Sequence, residues 1–64
     1  MQEYYYLLKL GNLYVERFEI DGNYTKINFD SDISVALEFS SKEVEIKKSL
    51  LELCLGVELK QEVK

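Results

Sequence analysis

Histidine and proline are absent from this chain, and cysteine occurs once, at Cys54. Without histidine the commonest general base is missing, and Cys54 and the serines have no partner of the Ser-His or Cys-His kind. A single thiol also rules out an internal disulfide, and a Cys/His zinc site cannot be assembled within one chain. On a helix, a lone cysteine is expected to be a small buried filler, and it suits a reducing compartment. The lack of proline, of low-complexity tracts and of repeats leaves no linker, so residues 1–64 read as one domain.

Positive charge is scarce as well. Eight Lys and Arg stand against twelve Asp and Glu, a net charge of −4, and no basic cluster exceeds Lys47-Lys48. This argues against a nucleic-acid partner, whose phosphates need a basic surface. No run approaches the roughly 20 apolar residues of a membrane span, and Met1-Gln2-Glu3 lacks the basic start and apolar core of a signal peptide. The expectation is a cytoplasmic protein with no membrane partner. Three isolated glycines make no phosphate-cradling loop.

What the chain has in excess is apolar surface in a short hairpin. Residues 3 to 10 and 13 to 20 are rich in Tyr, Leu, Val, Phe and Ile, and Gly11-Asn12 between them suits a two-residue turn with glycine first. In that register Tyr4, Tyr6, Leu8, Leu10, Leu13 and Val15 share one face, while Tyr5, Leu7, Tyr14, Phe18 and Ile20 share the other. A bulge near Glu16-Arg17 moves Phe18 and Ile20 to the first face. Either way both faces carry apolar groups, and a chain of 64 residues has too little material to cover them, since a domain of this size buries only about 60% of its unfolded surface.

Asp21-Gly22-Asn23 marks a second turn, and Tyr24 to Phe29 alternates as a third, half-buried strand. Asp30-Ser31-Asp32 is expected to cap a short helical turn in which Ile33, Ala36 and Leu37 plug one end of the core. Both acidic clusters offer oxygen ligands to a hard cation, but neither has an EF-hand's length, and turn formation and capping account for them. Ser40 and Glu43 have capping-box spacing, with Phe39 and Val44 as a hydrophobic staple, so a helix is expected from Ser41. Its stripe is read as Ile46, Leu50, Leu53 and Cys54, flanked by Val44, Leu51 and Leu55. Gly56 ends it, and Val57, Leu59 and Val63 alternate with charged residues as a final strand.

The fold class is therefore α+β, in the order β-β-β-α-β: a small four-stranded, mostly antiparallel sheet with one helix packed on one face. A right-handed crossover predicts a spatial order 3-2-1-4, with the last strand parallel to the first. Pairing of the last strand with strand three is the alternative.

Catalysis is not expected, because twelve acids in so small a fold have no deep cleft in which to raise a carboxyl pKa. Interface cores favour Tyr, Phe and Arg, so Tyr4, Tyr5, Tyr6, Leu7, Tyr14, Arg17 and Phe18 are the expected protein interface, serving a homodimer or a host protein target. A second reading has tyrosines at a dimer seam stacking a nucleotide base, with Lys9, Arg17 or Lys26 on its phosphate. A third is an assembly protein that uses open β-edges along Tyr24 to Phe29 or Val57 to Val63. No resident cofactor or metal is expected.

The run from Tyr4 to Val15, followed by Asp-Ile-Ser-x-Ala-x-x-Phe-Ser-Ser-Lys-Glu from Asp32 to Glu43, resembles small accessory proteins of phages and prophages in Gram-positive bacteria. The resemblance spans most of the chain, and its motifs are strand, turn and cap features. It implies an accessory role in the host cytoplasm, including inhibition of a host defence system by binding. It carries over no catalytic residue.

Overall fold

The computed structural model describes residues 4–64, and Met1 to Glu3, with the Glu3 start expected of the first strand, lie outside the described residues. Strands β1 (Tyr5–Leu10) and β2 (Leu13–Asp21) form the expected hairpin, with Leu10 opposite Leu13. Gly11 has φ +61°, while Asn12 keeps a negative φ, which is the backbone of a glycine-first hairpin turn whose twist matches the strands. Strand β3 (Tyr24–Asp30) returns along β2 after a second two-residue turn closed by Asp21 opposite Tyr24.

The bulge decides which side chains face the helix. Val15 pairs with Phe29 and Arg17 with Asn28, so Glu16 is the extra residue. A side-chain period of two then reverses beyond it, and Phe18 and Ile20 join Leu8, Val15, Ile27 and Phe29 on one face. The other face keeps Tyr5, Leu7, Lys9, Tyr14, Arg17, Glu19, Lys26 and Asn28. It is largely polar, so the expected apolar surplus on both hairpin faces is not found.

After β3 the chain makes a short 3₁₀ turn, Ile33–Val35, capped as expected by Asp32. Ile33 and Val35 are exposed, and only Leu37 of this segment packs against the core, so the plug is one residue rather than a turn. Phe39–Ser40 then forms a fifth strand, β4, that sequence patterning does not predict. It pairs antiparallel with β1 at Tyr6–Phe39 and Tyr5–Ser40, while Lys9 pairs with Tyr14 of β2. Because β5 (Lys60–Val63) occupies the other edge of β1 from Tyr6 to Lys9, β2 and β4 share one edge. β4 fills the gap where β2 bends away, and the Leu37 N–H donates to the Val15 carbonyl at 2.9 Å across that gap.

The extra strand also corrects the direction of the last one. β5 runs antiparallel to β1, not parallel. A crossover straight from β3 through a helix would have returned parallel, but β4 reverses the chain once more before the helix begins. The main order is β3-β2-β1 with β4 and β5 on β1, in an antiparallel five-stranded sheet.

Helix α1 spans Val44–Leu55, one turn later than Ser41. Ser40 is held in the ladder with Tyr5, and residues 41–43 make a turn closed by the Glu43 N–H donating to the Ser40 carbonyl. The capping box survives only as a Ser40 hydroxyl donating to Glu43 Oε1 at 3.3 Å, and Glu43 caps without its side chain. Gly56 closes the helix in the left-handed region, φ +74°, its N–H donating to the Glu52 carbonyl. The core lies between α1 and the sheet: Leu8, Val15, Phe39, Val44, Leu51 and Leu59 are all buried. The molecule measures 39 × 24 × 17 Å, and a twelve-residue helix covers only about 18 Å. Part of the sheet therefore extends beyond the helix. No helix among the described residues is long and apolar enough to cross a membrane.

Candidate functional site

Helix α1 carries two apolar rows, and the sheet takes only one. Val44, Leu51 and Leu55 follow at i, i+7 and i+11 and face the core, with Lys47 and Lys48 half-buried at its margin. The second row, Ile46, Leu50, Leu53 and, just past the helix, Val57, follows at i, i+4, i+7 and i+11 and points to solvent. Ile46 is 69% exposed and Leu53 83% exposed. Cys54 is exposed beside them, against the expectation of a buried filler. The stripe read from sequence is thus the outward one, turned by roughly half a circle from the row that packs.

The rotation is set at the start of the helix. With Glu43 as the N-cap, Phe39 and Val44 are not the N′ and N4 residues of a staple, but both are buried in the core, and once Val44 points inward the helical repeat carries Leu51 and Leu55 inward with it. Two polar contacts hold this orientation. Glu52 Oε2 accepts the Leu59 backbone N–H at 2.8 Å, and the Lys47 ammonium sits 5.9 Å from the centre of the Phe18 ring.

Ile46, Leu50, Leu53 and Val57 are all exposed, so the row sets four large aliphatic side chains in water along one side of the helix. By helical spacing Ser49 lies along one side of the row, and Lys47 and Cys54 lie along the other. Four aliphatic side chains at these spacings are what an apolar groove reads in a helix.

The residues expected to form the interface do not share a surface. Tyr6 and Phe18 lie on the helix face, where Phe18 stacks on Phe39 with ring centroids 6.2 Å apart. Leu7 is buried under the opposite face. Tyr14, half-buried there, donates its hydroxyl to Glu62 Oε2 at 3.2 Å and lies under the Lys9 ammonium, 5.1 Å from the ring centre. Lys9 in turn is 3.6 Å from Glu62 Oε1. Tyr4, Tyr5 and Arg17 are exposed, Tyr5 and Arg17 among charged neighbours.

Two depressions on the surface bear on a small ligand. The larger, about 340 Å³, is a shallow, open hollow lined by Lys9, Gly11, Glu58, Lys60, Gln61 and Glu62, and two carboxylates offset its two cations. The hollow holding Arg17, Tyr24 and Lys26 is only about 70 Å³, well below the 300 Å³ or more of a ligand pocket. No three His, Cys, Asp or Glu residues among those described are grouped to hold a metal. The acidic turn serves backbone geometry: Asp30 Oδ1 accepts the Asp32 N–H, and Asp32 Oδ1 accepts both the Ser34 N–H and hydroxyl. The Ser34 hydroxyl first, and its backbone N–H second, favour the charged form and lower the Asp32 carboxyl pKa. No family model, curated protein or solved structure matches this chain.

Proposed function

We propose that this protein acts by binding another protein, without chemistry of its own, and that the outward row of α1 makes the contact. The observation that supports this reading is the solvent-facing series Ile46, Leu50, Leu53 and Val57 on a helix whose other row already fills the core. A folded chain gains nothing from keeping such a series in water, whereas a partner with a hydrophobic groove buries it. Covering the row takes these side chains out of water, the main favourable term in protein association, and the affinity then depends on how well the partner packs against Ile46 and Leu53. In its sharper form, suggested by the resemblance to phage accessory proteins, the partner is a host defence protein.

The test is residue-specific photocrosslinking in the native cell. A photoreactive side chain at position 53 is expected to give one discrete adduct, which disappears when Ile46→Glu is added. A probe at Glu19 on the opposite face is expected to give none. An adduct at position 19 but not 53, or one at 53 that ignores Ile46→Glu, would overturn the reading.

A further inference from the structure

Strand β3 is an open edge. It pairs with β2 alone, and it is seven residues long against four for β5 at the other side of the sheet. Long bare edges accept another strand unless the sequence opposes it. Here the sequence matches itself. Lys26, Asn28 and Asp30 alternate on the polar face, and Ile27 and Phe29 lie between them on the helix face.

We propose that β3 pairs antiparallel with β3 of a second copy, in a register centred on Asn28. Lys26 then lies opposite the partner's Asp30, and Asp30 opposite the partner's Lys26. Ile27 and Phe29 lie opposite the partner's Phe29 and the partner's Ile27. The two-fold axis is normal to the sheet, so faces are preserved: helix face continues into helix face, and the interface is isologous. Opposite charges and apolar pairs directly across an antiparallel ladder are its stabilising units.

Other registers lose this match. Sliding by four residues sets Lys26 against the partner's Lys26 in one direction, and Asp30 against the partner's Asp30 in the other. Sliding by two leaves Lys26 facing an asparagine, or facing Asp32 outside the strand. A one-residue slip sets polar side chains against apolar ones. Both charges are also available within the chain. Among the described residues the ion pairs are Lys9–Glu62 and Lys64–Glu38, so Lys26 has none although Glu19 lies across from it on β2, and Asp30 uses only Oδ1, on the Asp32 N–H.

The experiment is sedimentation equilibrium of the full chain with charge variants. The wild type is expected to sediment at twice the 7.5 kDa chain mass. Lys26→Glu and Asp30→Lys each create two like-charge contacts, and each is expected to weaken self-association at least tenfold. An equimolar mixture of the two variants restores opposite pairs at both positions and is expected to regain the wild-type dimer. Circular dichroism of each variant separates loss of pairing from loss of fold. A wild type that stays monomeric to millimolar concentration would overturn the proposal, and so would a dimer that survives both single variants, or folded variants whose mixture stays monomeric. Leu53→Glu is expected to leave the dimer intact, so this surface and the row on α1 fail or stand separately.

Discussion

Leu51 and Leu53 lie two residues apart on one helix, and the structure assigns them opposite roles, which makes their exchange for alanine a test of the helix's rotation. Leu51 is 0% exposed among Leu8, Val15, Phe39, Val44 and Leu59, whereas Leu53 is almost fully in water. Removing a buried leucine side chain loses its transfer energy and leaves a cavity, about 2–5 kcal/mol together. A 64-residue domain has roughly 3–10 kcal/mol in total. Leu51→Ala should therefore remove about a fifth of the stability or more, and in urea, with a slope near 1 kcal/mol per M, the midpoint should fall by about 2 M or more. Leu53→Ala removes no packing and replaces leucine with a better helix former, so its midpoint should move by less than about 0.5 M. Should Leu51→Ala prove too unstable to titrate, Leu51→Val, which deletes one methylene and is expected to cost about 1 kcal/mol, gives the same comparison. The assay is far-ultraviolet circular dichroism at low micromolar concentration. Equal costs at the two positions, or a larger one at Leu53, would refute the assigned rotation of α1 and with it the outward row.

Gly56→Ala should cost about 1 kcal/mol by the same assay, and Gly56→Asn less; because an added Cβ meets nothing within 4 Å, the loss is of backbone conformation alone, and an unchanged midpoint would contradict the left-handed cap. Tyr14→Phe should lose about 1 kcal/mol through its bond to Glu62, and a double-mutant cycle with Glu62→Gln should show coupling; independent effects would dissolve the Lys9–Tyr14–Glu62 group. For Asp32 the folded pKa is the lower one, so its contribution is complete above the ordinary carboxylate pKa and is lost as pH falls through the folded value. The stability difference between wild type and Asp32→Ala should thus shrink in acid, and a difference unchanged between neutral pH and pH 2 would refute it. As Asp32 is exposed, added salt should reduce the difference too.

Local chemistry made the hairpin turns legible, because Gly11-Asn12 and Gly22-Asn23 each need a first residue with positive φ. The helix, its glycine end and the Asp32 cap were legible for similar reasons. β4 was not, since two residues carry no period, and Phe39-Ser40 read equally well as a staple and cap. That omission cost the direction of β5, which depends on how many times the chain reverses. The bulge at Glu16 could be foreseen only as an alternative, because one unpaired residue leaves composition unchanged while moving Phe18 and Ile20 across the sheet. Where the apolar excess stays exposed was not legible for the same kind of reason. The excess itself was evident, but whether the hairpin or the helix keeps it in water depends on tertiary contacts such as those that bury Val44.

β1 takes its partners from opposite ends of the chain order. At the turn it meets β2 at once, Leu10 against Leu13, yet its other edge is completed by Lys60–Val63. Such non-local closure slows folding relative to a helical chain of equal length. Only Lys60–Val63 covers that edge of β1, from Tyr6 to Lys9, so four residues act as its latch, and a loss of their pairing would open β1 to a strand of another chain.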